Sequence, residues 1–401
     1  MISTLERFKG ICRFERCNDP FLWHVDGWYE TYERWQREGM PISNLNMKDL
    51  NRYFLGYENQ TEAIHPNSCL IGMGPCHSPP WVPPLDPMFE TTILDMDKEH
   101  ITRVDYDGCV VRIRRDNPRA MPQYLEYPVK DKETWDEYKK RLDPYSNSRF
   151  PEGWTIMSEE TMGFYVKPEQ DGKSFEERDF PLGMMALSLW GMPRNYMGLE
   201  GISYAMFDNP KLIEEMVEYQ AWYAVETIKQ VFAAGITLDW AFIWEDMCFN
   251  KGSLISPDFV KRVMSPHYKN VIRLLRDNGV EMVMLDCDGN TWDLLPIWVD
   301  SGVNCTFPME VASGMDALAV RKYFGKDLIM IGNIDKRSIA KGKAYIDKEV
   351  LKVKELIKDG GYFVSVDHQL PPDVPFENVV YFLNEVNMLS DYEDTKRLVK
   401  I

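Results

Sequence analysis

The feature that most constrains this chain of 401 residues is a regular alternation of strand-like and helix-like segments, which starts near residue 160. Apolar runs of about five to eight residues alternate with amphipathic segments of about 12 to 20 residues. This alternation predicts a parallel β-sheet with connecting helices, either open or closed into a (β/α)8 barrel. The predicted strands are residues 163–167, 183–189, 240–243, 283–285, 303–307, 328–331 and 362–366, and the predicted helices are residues 209–233, 257–278, 316–323 and 344–359.

The first 160 residues lack this alternation and predict a different organisation. Residues 1–60 form a predicted helical arm, because aromatic residues at helical spacing (Trp28, Tyr29, Tyr32 and Trp35) precede a Gly-Met-Pro stop. Residues 61–401 form the predicted barrel, with insertions in 61–160. Within the insertions we expect antiparallel strands at 91–97, 100–107 and 110–114, and a charged, exposed helix at 131–142.

The charge and composition of the chain argue against nucleic acid, a membrane or a secretory pathway. A net charge of −17 disfavours nucleic acid and anionic membranes, because both would be repelled at long range. There is no apolar run of about 18 residues, and the N-terminus carries charges where a signal peptide needs apolar residues. The eight cysteines form no CxxC pair, which is typical of free thiols. We therefore expect a cytoplasmic protein.

Two carboxylates end the predicted strand 283–285. Asp286 and Asp288 follow the apolar run directly, and side chains two residues apart on a strand point to the same side. Cys287 lies between them and should point away. Two acids at the end of a buried strand are costly unless a cation joins them, so the turn predicts a bound metal, a cationic ligand or a nearby basic residue.

Polar side chains follow the neighbouring predicted strands as well. The carboxyl ends of parallel barrel strands form the active-site face, so these side chains should meet in one place. They are Glu245 and Asp246, Asp286 and Asp288, Glu310, Asn333 and Asp335, and Asp367 and His368.

These strand-end residues predict a metal site. The carboxylates of Asp286, Asp288 and Glu310 would converge with the imidazole of His368 and would repel one another without a cation. Zinc accepts such oxygen and nitrogen ligands. Mg²⁺, Mn²⁺ and Fe²⁺ suit oxygen-rich sites equally, so the identity of the metal stays open. The remaining acids Asp246, Asp335 and Asp367 are also suited to helix capping or salt bridges.

Other residues are candidates for the substrate pocket. His24 lies among aromatic residues and is either a packed histidine or a pocket residue, and Trp28 and Trp244 are candidates for the pocket wall. Arg194 is the basic residue most suited to face a substrate, and Asn333 follows a predicted strand. Glu245 and Asp246 are the candidate catalytic acids, with Glu245 supplying a proton to a leaving group if burial raises its pKa.

Four motifs of the second half are similar to those of one enzyme superfamily. They are Leu-Ile-Ser-Pro-Asp-Phe at 254–259, Gly-Asn-Ile-Asp at 332–335, Gly-Gly-Tyr-Phe-Val at 360–364 before Asp367 and His368, and Pro-Pro-Asp-Val-Pro-Phe-Glu-Asn at 371–378. With them the chain resembles the uroporphyrinogen decarboxylase superfamily over about residues 195–390. The resemblance implies a (β/α)8 TIM barrel. The superfamily also contains zinc-dependent corrinoid and coenzyme M methyltransferases.

Two departures place the resemblance closer to the methyltransferases. The true decarboxylases carry an Arg-Gln-Ala-Gly-Arg-Tyr signature that holds the carboxylates of the substrate, and this chain has none. The methyltransferases carry a His-x-Cys-Gly turn, a Glu and a later Cys around zinc. Here Asp-Cys-Asp-Gly at 286–289, Glu310 and His368 stand at about those positions, so the resemblance implies a metal site with harder ligands.

Harder ligands favour a substrate that binds through oxygen or nitrogen. We therefore predict a demethylating methyltransferase that uses zinc or another divalent metal as a Lewis acid. Its methyl donor would be a small methoxylated or methylamine-type molecule, and a separate corrinoid protein would accept the methyl group. Relatives in the superfamily include dimers, so a homodimer is possible.

Two other functions stay open. A decarboxylase of another carboxylated substrate would need a basic residue in the pocket, for which Arg194 is the candidate. A non-catalytic protein could instead bind a cationic ligand between the acids and a cage of tryptophans.

Overall fold

The computed structural model describes residues 2–24, 27–42, 53–54, 70–71, 85–118, 120–146, 181, 183–233, 235, 237–396 and 398–399. The predicted strand 163–167 lies outside these residues. The strands of the described part are β1 (Leu22–His24), β2 (Leu70–Ile71), β3 (Thr92–Met96), β4 (His100–Val104), β5 (Val110–Arg114), β6 (Gln123–Glu126), β7 (Gly183–Leu187), β8 (Trp240–Trp244), β9 (Cys248–Phe249), β10 (Gly252–Ser253), β11 (Met282–Asp286), β12 (Cys305–Phe307), β13 (Ile329–Ile331) and β14 (Tyr362–Ser365).

Eight of these strands form one parallel sheet. Its order is β1-β14-β13-β12-β11-β8-β7-β2, and each neighbouring pair is parallel. This is the consecutive order of strands around a (β/α)8 barrel, with β1 and β2 at the two ends of the order. The barrel predicted from the sequence is confirmed. β1 belongs to it and pairs with β14, so the first barrel strand comes from within residues 1–60.

Helices connect the barrel strands. The helices of the described residues are Thr4–Cys12, Tyr29–Arg37, Lys132–Tyr138, Gly191–Asp208, Pro210–Ala233, Pro257–Phe259, Ser265–Asp277, Leu295–Asp300, Ala317–Phe324, Lys336–Ala340, Lys343–Leu356 and Phe376–Asn387. The four helices predicted between the strands are present, one of them with a π-helical turn at Val260–Met264. The helix Gly191–Asp208 was not predicted, because glycine and proline occur along it and Gly198 interrupts it with a φ of 73°.

The insertion before β7 contains the expected antiparallel strands. β3, β4 and β5 pair in order, and β6 adds a fourth strand. The helix predicted at 131–142 is shorter, Lys132–Tyr138, and the prediction that it is exposed is wrong on one face. Trp135 and Tyr138 are buried there, since they pack against Tyr196 of the helix Gly191–Asp208.

The core has two layers because side chains alternate along each barrel strand. In β8, the rings of Trp240, Phe242 and Trp244 fill the barrel interior, whereas Ala241 and Ile243 face the surrounding helices. Both layers are well filled. None of the described helices is long and apolar enough to cross a lipid bilayer.

The helix Thr4–Cys12 closes one end of the barrel. The ammonium of Lys9 lies 3.1 Å from the carboxylate of Asp239, which directly precedes β8. The carbonyl of Ile11 accepts a hydrogen bond of 3.0 Å from the amide of Gly361, which directly precedes β14. The helix therefore covers the amino ends of the strands. A ligand must enter at the opposite end, where the carboxyl ends of the strands form the barrel mouth.

Candidate metal centre

Three aspartates meet at the barrel mouth. Asp286 is the last residue of β11, Asp288 follows two residues later, and Asp246 follows β8. One carboxylate oxygen from each lies within 4.8 Å of the other two. Asp286 and Asp288 converge as the sequence predicts. Among the described residues, this is the group of acidic, histidine and cysteine side chains close enough together to hold a metal ion.

The register of β8 and β11 brings Asp246 into this group. Asp286 pairs with Trp244, so Asp246 lies level with Asp288. The amide of Asp288 donates a hydrogen bond of 3.2 Å to Oδ1 of Asp246. Asp246 has a φ of 45°, a left-handed conformation that costs energy for a residue other than glycine and that occurs mostly where the surroundings enforce it.

The electrostatics of the group favour a bound cation. Burial raises the pKa of Asp286 well above its usual range, and the negative charges of Asp288 and Asp246 raise it further. Burial and the charge of Asp288 likewise raise the pKa of Asp246. A divalent ion would relieve this repulsion, and an all-oxygen donor set suits Mg²⁺, Mn²⁺, Fe²⁺ or zinc. The three residues therefore fit a divalent metal.

Cys287 points away from the three aspartates. Its sulfur accepts a hydrogen bond of 3.3 Å from the amide of Met247, and its side chain is buried in the layer between strands and helices. This is the orientation expected for a residue between two inward-facing neighbours.

Arg194 contacts Asp246 at the edge of the group. Its Nη1 donates a hydrogen bond of 2.8 Å to the backbone carbonyl of Asp246, and its Nη2 lies 3.2 Å from Oδ2. The guanidinium also lies 5.1 Å from the centre of the Trp244 ring. Trp244 itself is buried in the barrel interior beneath Arg194. Arg194 thus lies at the mouth with its charge paired to Asp246, and its role in substrate binding stays a prediction.

His368 and Trp28 lie on the other side of the group. Nε2 of His368 is 3.5 Å from Oδ2 of Asp288, and this hydrogen bond raises the pKa of His368. The Trp28 ring stacks on the His368 ring, with 6.3 Å between centroids and 26° between planes. Trp28 is 38% exposed, so part of the indole is accessible beside His368. His368 is therefore a neighbour of the three aspartates and lies outside their group.

Glu310 also lies outside the group and has partners of its own. Its Oε2 accepts a hydrogen bond of 2.8 Å from the hydroxyl of Ser313, and its Oε1 lies 4.0 Å from Nζ of Lys336. Nζ of Lys336 is also 3.8 Å from the buried carboxylate of Asp367. Asp367 accepts hydrogen bonds from the amides of Val311 and Lys336, so it caps these turns. Metal binding by Glu310 and His368 stays a prediction.

Glu245 points out of the barrel interior, toward the surrounding helices. Its buried carboxylate accepts hydrogen bonds from three backbone amides and one hydroxyl, those of Leu189 (2.9 Å), Trp190 (2.7 Å), Gly191 (3.2 Å) and Tyr268 (2.7 Å). Burial raises its pKa to about 7, although the four donors act in the opposite direction. Glu245 therefore holds the start of the helix Gly191–Asp208, and these contacts do not favour the predicted role as proton donor.

Asn333 is also fully engaged by the backbone. Its Nδ2 donates to the carbonyls of Met309 and Met315 at 2.8 and 3.0 Å, and its Oδ1 accepts from the amide of Ala317 at 3.0 Å. The side chain is buried, and both amide hydrogens are used. The role of Asn333 in substrate binding stays a prediction. His24 is the last residue of β1, and its side chain lies outside the described part of the chain.

Sequence reasoning missed two residues of this region. Lys336 directly follows Asp335 after a barrel strand, and this position is a signal that could have identified it. Tyr268 lies in a helix, in Ser-Pro-His-Tyr at 265–268, and nothing in its sequence context indicates a contact with Glu245.

Fold and site together define a (β/α)8 barrel with its candidate centre at the carboxyl ends of the strands. The chain belongs to the uroporphyrinogen decarboxylase (URO-D) family, whose sequence model matches residues 175–389, just over half of the chain. The resemblance stated from the motifs is confirmed at this level.

Two known proteins illustrate the relationship. A uroporphyrinogen decarboxylase from Campylobacter concisus is 22% identical over 190 residues, which are 46% of this chain and 51% of the relative. The chain thus spans about half the length of this curated relative. A methyltransferase from Methanosarcina mazei has a similar fold, with a TM-score of 0.55 and 13% identity, and the similarity covers 97% of this chain and 99% of that protein.

Proposed function

We propose that this chain is a metal-dependent methyltransferase. It removes a methyl group from a small methoxylated or methylamine-type substrate and passes it to a corrinoid carried by a separate protein. The observation that carries the proposal is the convergence of Asp246, Asp286 and Asp288 within 4.8 Å at the mouth of a barrel of this family. The similar fold of the methyltransferase from Methanosarcina mazei supports the choice of reaction.

Asp246, Asp286 and Asp288 would hold the metal, zinc or another divalent ion. When bound, such an ion supplies Lewis acidity toward the heteroatom that carries the methyl group. His368 orients the Asp288 carboxylate through the 3.5 Å contact, and Arg194 orients that of Asp246. Trp28 offers an apolar wall beside them.

Glu245 acts on the site through the helix it holds. The helix Gly191–Asp208 begins at the amides that Glu245 binds, and Arg194 lies in its first turn. Glu245 and Tyr268 therefore fix the position from which Arg194 reaches Asp246. We assign Glu245 a positioning role in place of proton transfer.

A decarboxylase is the second candidate, because the family takes its name from that activity. Decarboxylation of a carboxylated substrate would need a basic side chain free to bind the carboxylate. Arg194 is paired with Asp246, and Lys336 lies between Glu310 and Asp367. These pairs favour the methyltransferase. A binder of cationic ligands, the third candidate, has Trp28 as an exposed aromatic face beside the acids.

The experiment combines the metal-loaded protein with free cob(I)alamin and a panel of methoxylated and methylated amine donors. The methyltransferase predicts the absorption change of methylcobalamin formation in the wild type and in Cys287→Ala, and its loss in Asp288→Asn. No methylcobalamin from any donor, together with carbon dioxide release from a carboxylated compound, would establish the decarboxylase instead. Tight binding of a quaternary ammonium compound without turnover would establish the binder.

A further inference from the structure

We propose that a lysine-rich surface beside the barrel mouth docks an acidic face of the protein that accepts the methyl group. This lysine patch consists of Lys341, Lys343 and Lys348 with Tyr345 and Tyr381. The proposal rests on the proposed function for the identity of the partner, and on the structure for the place where it docks.

The charge of this segment is opposite to that of the chain. Residues 336–348 contain five basic residues and one acidic residue, a net charge of +4, whereas the whole chain carries −17. The acidic residue, Asp347, accepts a hydrogen bond of 2.8 Å from the hydroxyl of Tyr381. An acidic partner would be repelled by most of this protein and attracted here.

The three lysines contact tyrosine rings and keep their positive charge. The ammonium groups of Lys341 and Lys348 each lie 5.3 Å from the centre of the Tyr345 ring, and that of Lys343 lies 4.9 Å from the Tyr381 ring. None of the three forms an ion pair with an acidic residue of the described ranges, in contrast to Lys336 and Arg337. Their charges are therefore available to a partner, and the tyrosine rings restrict their positions.

The lysine patch lies on the mouth side of the barrel, in the connection that follows β13. The segment leaves β13 at its carboxyl end, and its first residue, Lys336, lies 4.0 Å from Glu310. The helix Lys343–Leu356 returns toward the amino end of β14, so its first turns lie on the mouth side. Tyr381 lies in the second turn of the helix Phe376–Asn387, which likewise begins at the mouth side.

The location of the lysine patch indicates which kind of partner would dock there. A methyl group that is released at the bottom of the mouth can reach a protein-bound acceptor only if that protein covers the mouth. The covering protein must then contact the rim, of which the lysine patch is a part. An acidic surface on the acceptor protein would match the lysines and increase its rate of association.

The test compares the double variant Lys341→Glu/Lys343→Glu with Lys326→Glu. Lys326 is a matched control, because it is exposed, lies 5.7 Å from the Phe14 ring and precedes β13 at the closed end of the barrel. The probe is a purified corrinoid-binding protein loaded with cobalamin. We would measure its binding by calorimetry at low and high ionic strength, and the rate of methyl transfer to it and to free cob(I)alamin.

The proposal predicts that wild type and Lys326→Glu bind the probe alike, that salt weakens binding, and that the double variant binds about tenfold or more weakly at low salt. Transfer to free cob(I)alamin should not change. Equal binding by the double variant would overturn the proposal, as would failure of the wild type to bind the probe. So would binding of double-stranded DNA through these lysines, which would assign the surface to nucleic acid.

The calorimetric arm separates the two proposals. Binding that depends on the lysine patch, without methyl transfer to free cob(I)alamin, would uphold the docking surface and contradict the proposed reaction. Methyl transfer to free cob(I)alamin, together with probe binding that is the same in the wild type and the double variant, would uphold the proposed reaction and contradict the docking surface.

Discussion

Arg194 binds Asp246 through both its backbone and its side chain, at 2.8 Å to the carbonyl oxygen and 3.2 Å to Oδ2. This pair joins two consecutive βα units, because Arg194 follows β7 and Asp246 follows β8. It also opposes the effect of burial and of Asp288, both of which raise the pKa of Asp246. Arg194 thus favours the ionised form of one candidate metal ligand.

Replacing Arg194 by Gln should shift metal binding to higher pH. Without the positive charge the pKa of Asp246 rises further, and a protonated carboxyl group competes with the metal. The pH at which half of the protein is loaded should therefore move up by about one unit. A metal titration at a series of pH values measures this. Arg262→Gln is the control, since Arg262 forms an ion pair with the exposed Glu214 and not with Asp246. An unchanged midpoint in Arg194→Gln would show that the pair does not tune Asp246.

Replacing His368 by Ala should weaken metal binding without abolishing it. His368 contacts Asp288 and lies outside the group of three aspartates, so its loss removes orientation of a ligand and leaves the ligands themselves. We expect the dissociation constant to rise about 10- to 100-fold, as for other residues that orient metal ligands. Competition with a chelator measures the dissociation constant. The matched control is His267→Ala, since His267 is a partly buried histidine of the helix Ser265–Asp277. Complete loss of metal at saturating concentration would instead make His368 a ligand.

Replacing Tyr268 by Phe should destabilise the fold. The hydroxyl donates a hydrogen bond of 2.7 Å to a carboxyl group that is fully buried, so the variant leaves that group with one donor fewer. Loss of a partner by a buried polar group costs about 1 to 3 kcal/mol. Urea denaturation gives the change in the free energy of unfolding. Tyr204→Phe, at a position 62% exposed, should stay within about 0.5 kcal/mol of the wild type. Equal stability of both variants would show that the Tyr268 contact contributes nothing.

The sequence predicted the parts of the fold that depend on local patterns. The apolar runs at β8, β11 and β14 are long enough to indicate buried strands, and the two acids after β11 converge because of the two-residue period of a strand. The orientation of Cys287 follows from the same period. In these cases a few neighbouring residues determine the geometry.

The parts that were missed depend on contacts between distant segments. Asp246 joins Asp288 because β8 and β11 pair in one register, and a single sequence does not determine register. Glu245 turns outward because it follows the inward-facing Trp244 and meets the amides that begin the next helix. Asn333 is engaged by residues of another loop. β1 has only three residues, too few to be distinguished from a loop by periodicity.

Asp246, Asp286 and Asp288 are proposed to hold a divalent metal at the barrel mouth. The most direct test is the metal content of the purified, metal-loaded protein by mass spectrometry, for the wild type, Asp288→Asn and Cys287→Ala. Cys287 is the matched control, since it adjoins Asp288 and points away from the site. We predict about one equivalent in the wild type and in Cys287→Ala, and almost none in Asp288→Asn. A wild type that binds no metal, or an Asp288→Asn variant that binds as much as the wild type, would show that these aspartates do not form a metal site.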